Sequence, residues 1–156
     1  MTGSVPNSQL PRLVAWPLRA GERLALAAAL RKAELPVDDL EAPDRLFWRF
    51  ESSDDIPVGF GGLEPHGEDA LLRSLVTLPP MRRRGIGSAM VRELETEARL
   101  RGCRAIWLMT TTAAAFFAAR GYRPCDRAAV PAGIRGTQEF AALCPASAQV
   151  MTKRLD

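Results

Sequence analysis

Apolar residues follow two rhythms along this chain. Short runs, alternating or continuous, read as strands: Leu13-Val14-Ala15 within Arg12 to Leu18, then Leu46 to Glu51, Pro57 to Glu64 and Leu71 to Leu78. Further runs lie at Ala105 to Met109, from Tyr122 to Cys125, and at Gln149 to Lys153. Longer stretches with apolar residues three and four apart read as helices. Gly21 to Glu34 carries a stripe of Leu24, Ala27, Ala28 and Leu30, and Pro36 stops it. Ser88 to Arg101 sets Met90, Val91, Leu94, Ala98 and Leu100 on or near one face, with Gly102 as C-cap. Ala113 to Arg120 is capped by Thr111 or Thr112 and closed by Gly121. Ala132 to Leu143 follows Pro131 and ends before Pro145, and Asp38 to Asp44 adds a short helical turn.

This order predicts a mixed α/β sheet. Leu46 to Leu78 reads as an antiparallel meander, turning at Ser52 to Asp55 and at Pro65 to Asp69. Ala105 to Met109 should lie parallel to the central strand, since strand–helix–strand calls for a right-handed crossover. Glycines at 59, 61 and 62 predict a bulge or a close neighbour. Residues 1–11 read as a loose tail and residues 12–156 as a single domain.

Composition narrows the class. The 156 residues are 47% apolar and 25% charged, ordinary for a globular domain with a sizeable core. A net charge of +3 is too small to argue for nucleic acid. No apolar run is long enough for a membrane span, and Met1 to Leu10 has no secretory pattern, so a cytoplasmic protein is expected. Cys103, Cys125 and Cys144 are odd in number and widely spaced, which suits a reducing compartment and gives no metal motif.

The chemistry concentrates where the central strand meets the following helix, at Arg82-Arg83-Arg84-Gly85-Ile86-Gly87. Glycines let backbone approach a ligand, and a helix start offers N–H donors and partial positive charge. Three arginines add fixed cations, so the turn reads as a pyrophosphate cradle. It is not a Walker loop, because no lysine follows the glycines. It is not a dinucleotide fingerprint, because Met90 stands at the third glycine. Arg82-x-x-Gly85-x-Gly87 resembles the acetyl-coenzyme A loop of the GNAT superfamily of N-acetyltransferases. The run Thr110 to Tyr122 is similar to that family's Asn-x-x-Ala-x-x-Phe-Tyr-x-x-x-Gly-Phe segment.

The resemblance implies a central mixed sheet flanked by helices, with two parallel strands splayed apart and the acyl thioester of acetyl-coenzyme A between them. Carried over, backbone groups of Leu75, Val76 and Thr77 hold the thioester arm, and the N–H near Val76 polarises its carbonyl. Arg82, Arg83, Arg84, Gly85, Ile86, Gly87 and Ser88 hold the pyrophosphate. Thr110, where the family often has asparagine, and Phe117 flank the pantetheine. No metal is implied. Dimers are common in the superfamily, so a homodimer is a possible state.

Acyl transfer needs a group to take the amine's proton. Glu64, at a strand end beside the wedge, is the first candidate; its alternative is a solvated strand end. His66, the sole histidine, and Glu68 are the others; a plain turn residue is the competing reading of His66. Many relatives have a tyrosine acid where Phe117 stands, so no acid is assigned; Tyr122 sits where the family buries an aromatic. Arg73, inside an apolar strand beside Ser74, either pairs with Glu64 or binds an anionic substrate group. Ser74, Arg135 and Thr111 are further substrate candidates, with a solvated helix face as the alternative for Arg135 and capping for Thr111.

Ala70 to Val76, Thr110 to Phe117 and Phe140 to Ala148 are similar to the ArsN group of arsenic-resistance N-acetyltransferases. That resemblance implies a small, anionic, amino-acid-like amine such as arsinothricin or phosphinothricin. Two other readings stay open: a protein or peptide N-acetyltransferase, and a non-catalytic acyl-coenzyme A sensor, which Phe117 suggests.

Overall fold

The computed structural model describes residues 10–79, 85–143 and 147–156. Its strands are β1 (Leu13–Pro17), β2 (Leu46–Ser52), β3 (Pro57–His66), β4 (Asp69–Thr77), β5 (Ala105–Thr110), β6 (Arg123–Cys125) and β7 (Gln149–Arg154). Its helices are α1 (Leu24–Lys32), α2 (Ile86–Leu100), α3 (Ala114–Ala118) and α4 (Ala132–Arg135). The strands form one sheet in the order β1-β2-β3-β4-β5-β7-β6. The expected meander and the expected parallel neighbour both form; β4 and β5 run parallel and the other paired strands antiparallel.

Two features of β4 position everything else. It pairs with β5 at Asp69↔Ala105, Ala70↔Ile106 and Leu71↔Trp107, and beyond Leu71 the two strands part. It also carries a bulge. Its register against β3 steps from Gly62↔Arg73 to Phe60↔Val76, and Ser74 takes the extra residue at φ +58°. Residues three apart on a regular strand face opposite ways. The bulge turns Arg73 and Val76 to the same face, that of their partners Gly62 and Phe60.

One face of the sheet is covered by α2, whose Met90, Leu94 and Ala98 pack on Trp48, Phe50, Leu63, Leu72 and Leu108. The bare β3 glycines allow this approach: a Cβ on Gly59 would stand 2.5 Å from the Met90 Sδ, and one on Gly61 would stand 2.8 Å from Leu94 Cδ1. The other face is covered in two parts. Over β2–β4 lies α1, where Leu26 and Leu30 meet Phe47, Phe60 and Val76. Beside it the segment around α4 brings Val130 and Ile134 onto Leu71 and Val150.

Several expectations need correction. The α1 stripe is Leu26, Ala27, Ala29 and Leu30; Leu24 is 84% exposed and Ala28 is also outside. The helix starts only at Leu24, so Leu24 lies in its first turn, ahead of the buried stripe. It ends at Lys32, and Glu34 at φ +59° turns the chain before Pro36 is reached. Leu100, at the last turn of α2, is 74% exposed. Asp38 to Asp44 makes turns and no helix. The helix expected over Ala132 to Leu143 breaks at Gly136 into α4 and a π-helical turn at Glu139–Leu143. Thr137 holds the break, donating to the Ile134 carbonyl at 2.7 Å and accepting from Phe140 N–H at 3.2 Å. The first nine residues of the expected tail lie outside the described residues. Pro11 is fixed, its carbonyl accepting from Arg92 at 3.2 Å.

Candidate active site

The wedge between β4 and β5 opens in front of the α2 N-terminus. Gly85, at φ +90°, makes the left-handed turn into that helix, and the first bond ties Ala89 N–H to the Gly85 carbonyl at 2.9 Å. The N–H groups of Ile86, Gly87 and Ser88 belong to the turn whose donors a helix leaves for a ligand. The Ser88 side chain is buried. Arg82, Arg83 and Arg84 lie outside the described residues. On the β5 side, α3 leans against the same helix start: a Cβ on Gly87 would meet the Phe116 ring at 3.2 Å. Neither Thr111 nor Thr112 caps α3: its N-cap is Ala113, without a side-chain capping bond, and Thr110 accepts from Ala113 N–H at 2.9 Å in the turn before the helix. Thr111 and Thr112 are exposed.

Phe117 is packed, not presented. Its ring meets Phe116 edge-on at 5.0 Å and Tyr122 at 5.5 Å, and it is buried in the core with α2. Tyr122, buried as expected for an aromatic after the closing glycine, donates its hydroxyl to Glu95 at 2.9 Å. Burial and the Glu95 charge hold that phenol well above its usual range, so it keeps its proton. Lys153 completes this group at 3.0 Å from Glu95.

On the opposite face, at the foot of the wedge, lies a buried ion cluster. Arg73 is its centre. Its guanidinium donates to both Asp39 oxygens at 2.5 Å and to Glu64 at 3.2 Å, and it stands 3.3 Å from Glu139. Arg45 adds contacts to Asp39 at 3.3 Å and Glu64 at 3.6 Å. The Phe47 ring lies 5.6 Å from the Arg73 guanidinium carbon. The pairing of Arg73 with Glu64 is therefore formed, and Asp39 and Glu139 extend it. With its guanidinium in these contacts, Arg73 is a structural cation in this arrangement rather than a free receptor for an anion. Ser74 accepts from Arg73 Nε at 3.4 Å and forms the bulge. Glu64 is not a solvated strand end: its side chain is 2% exposed.

Two guanidiniums face three carboxylates, so with His66 neutral the cluster balances only when one carboxylate holds a proton. Glu139 is that one. Burial first, then the charges of Asp39 and Glu64, push its carboxyl up to about 7 against the pull of Arg73 and Arg45. Burial also works against the Asp39 charge, but the Arg73 and Arg45 guanidiniums outweigh it and hold Asp39 below its usual range. Burial likewise opposes the Arg73 charge, and its three carboxylates more than offset this.

Glu139 thus makes a signed stability prediction. From the ordinary 4.5 to about 7 the folded protein holds a proton that the unfolded chain has lost, so this group makes stability fall as pH rises through that window. Glu139→Gln removes the contribution. In urea titrations the variant should gain on the wild type between pH 5 and pH 8 by on the order of 2 kcal/mol. A constant difference across that range would refute the assignment.

The other candidates lie apart. His66 is half-buried against Gly133 of α4, with Nε2 3.6 Å from Glu64 Oε1. Glu68 is exposed beside Arg104 at 3.6 Å. Arg135 is exposed on α4, and no charged partner is recorded for it among the described residues. Cys103 is buried, its Sγ 3.8 Å from the Gly67 carbonyl; Cys144 lies outside the described residues. Among the described residues no group of His, Cys, Asp or Glu is placed to hold a metal ion. Asp39, Arg45 and Glu139 were not anticipated. In sequence Asp39 belongs to an expected helical turn, Arg45 to the approach to β2 and Glu139 to an expected helix, and only the charge of Arg73 inside an apolar run signalled that buried carboxylates must exist.

Residues 13–122 match the sequence model of the acetyltransferase (GNAT) family. No curated protein matches the chain. Many solved structures are similar in fold, three of them as follows. The first is N-acetylglutamate synthase from Neisseria gonorrhoeae, complexed with coenzyme A and N-acetyl-glutamate, at 18% identity and TM-score 0.77, covering 93% of this chain and 35% of that one. The second is Rv2747 from Mycobacterium tuberculosis in complex with CoA and NLQ, at 22% identity and TM-score 0.73, covering 94% of this chain and 100% of that one. The third is Tetrahymena GCN5, at 11% identity and TM-score 0.73, covering 92% and 96%. The chain spans about a third of the length of the N-acetylglutamate synthase it matches.

Proposed function

The chain belongs to the acetyltransferase (GNAT) family, and on that premise we propose that it moves the acetyl group of acetyl-coenzyme A to the primary amine of a small, amino-acid-like molecule. The observation that carries this reading is the parting of β4 from β5 beyond Leu71, in front of the α2 start, with the buried Glu64 carboxylate at the level where they part. The thioester arm lies along the free edge of β4 at Leu75 to Thr77. Leu78 N–H donates to the Val58 carbonyl at 2.9 Å, so in the same register Val76 N–H faces Phe60 of β3, and the N–H groups left on the free edge to polarise the thioester carbonyl are those of Leu75 and Thr77. Ile86, Gly87 and Ser88, with Arg82, Arg83 and Arg84, take the pyrophosphate. Glu64 accepts the ammonium's proton through water. The freed amine forms the C–N bond as the C–S bond breaks, the acylated nitrogen gives its extra proton to water, and the thiolate takes a proton from water. Neither Phe117 nor the Glu95-bound Tyr122 can supply it.

For the acceptor we propose the arsinothricin and phosphinothricin class, on the similarity to the ArsN group. A structural neighbour complexed with N-acetyl-glutamate supports an amino-acid acceptor. Because Arg73 is enclosed by carboxylates, a second anionic head would turn to Arg135. The test is thiol release from acetyl-coenzyme A with arsinothricin, phosphinothricin, glutamate and a lysine-rich peptide in parallel. Turnover with the small amino acids and none with the peptide is expected. Turnover with the peptide alone would make this a protein acetyltransferase. The packed Phe117 favours one second reading, a sensor; tight coenzyme binding with no turnover on a broad amine panel would establish it.

A further inference from the structure

A buried base that takes a proton at every turnover must also lose it. Glu64 has this problem in acute form, since its side chain is only 2% exposed. Its basic neighbours among the described residues are Arg73 at 3.2 Å, Arg45 at 3.6 Å and His66 at 3.6 Å. Arginine does not deprotonate in proteins, so neither guanidinium can carry the proton away. The other carboxylates of the cluster, Asp39 and Glu139, are as buried as Glu64 and are joined to it only through those guanidiniums. His66 differs on both counts. Imidazole accepts and releases protons, and this side chain is 30% exposed.

The ring is also oriented for the task. Its Nε2 is buried, faces Glu64 Oε1, and has no hydrogen-bond partner. A buried ring nitrogen without a partner is uncommon and calls for a reason. The remainder of the side chain carries the exposure. On its other side His66 meets Gly133 of α4, which brings no charge. Asp69, its backbone partner across the turn, has its carboxylate engaged by Trp107 Nε1 at 2.9 Å. Glu64 is therefore the carboxylate that His66 faces.

We propose that His66 is the proton outlet of Glu64: it takes the proton that Glu64 removes from the substrate ammonium and passes it to solvent. The inference rests on the reading of Glu64 as the proton acceptor. The step balances without any co-reactant beyond water or buffer. Glu64 in its acid form gives its proton to His66 Nε2, the imidazolium releases the Nδ1 proton to buffer, and Glu64 returns to carboxylate; the ring then exchanges its Nε2 proton for one on Nδ1 through solvent, which leaves Nε2 bare for the next turnover. His66 acts through Glu64, so it is a positioning and relay residue and need not touch the substrate.

Two measurements test this. The first is turnover of His66→Gln with the best acceptor of the panel, in dilute buffer and again in concentrated imidazole. In dilute buffer kcat should fall at least about tenfold, with KM for acetyl-coenzyme A unchanged. Imidazole, replacing the missing relay, should restore most of it, and should do nothing for Glu64→Gln. Wild-type kcat in dilute buffer, or a loss that imidazole does not repair, would overturn the outlet. A fully active Glu64→Gln would instead overturn the base beneath it. The second measurement needs no acceptor. His66 is the sole histidine, so the protein gives one set of imidazole signals. At fixed pH the Nε2 resonance should move in Glu64→Gln, and an unmoved resonance would overturn the contact on which the relay depends.

Discussion

Replacing Arg73 by alanine should cost about 3–5 kcal/mol of unfolding free energy at pH 8, or roughly 10 °C of melting temperature. The size follows from what is left behind. Arg73 is fully enclosed, and its removal leaves Asp39, Glu64 and Glu139 in low dielectric with Arg45 as the remaining recorded cation. The loss should shrink toward pH 5. There Glu139, already pushed up to about 7 by burial and its carboxylate neighbours, is protonated and needs no counter-charge. Arg73→Met, which keeps most of the volume, should show the same pH trend, so the effect is charge and not cavity. Urea titrations at both pH values check it. An anion receptor would behave in the opposite way, with stability unchanged and KM for the acceptor raised.

Arg73 also shows how far the sequence could be read. A charge inside Leu71 to Val76 required a buried partner, and Glu64 was within reach along the neighbouring strand. The glycines of β3 announced a close neighbour, and the neighbour is α2. The order of strands around the arginine turn implied the parallel pair at the centre. What stayed hidden depends on contacts between distant segments. Asp39 and Glu139 lie 34 and 66 positions from Arg73, in a turn and a helical segment whose acids look solvated in sequence. The placing of β7 between β5 and β6 is a long-range pairing with no local signature. The break at Gly136 was masked because Ala132 to Leu143 is rich in helix formers, and one glycine is not decisive by itself. The bulge at Ser74 left no trace either, since a left-handed serine is unusual. Yet that bulge sets Arg73 and Val76 on one face.

Glu64→Gln should lower kcat/KM by about 10²- to 10⁴-fold with coenzyme binding unchanged, the range for loss of a positioned base. Stability separates this from a folding defect. With glutamine at 64, Arg73 and Arg45 face Asp39 and Glu139, and the cluster is neutral with both carboxylates ionised. The fold should therefore stand within about 1 kcal/mol, far from the Arg73→Ala loss. The same substitution should move the Glu139 transition. The Glu64 charge is one of the causes that raise the Glu139 carboxyl, so without it Glu139 ionises at lower pH. The pH-linked fall in stability that Glu139 produces should then end at lower pH and be smaller in Glu64→Gln than in the wild type, while its onset, set by the unfolded chain, stays where it was. An inactive variant that keeps the wild-type pH dependence of stability would mean that Glu64 and Glu139 are not electrostatically coupled. An active one would place the base elsewhere in the wedge.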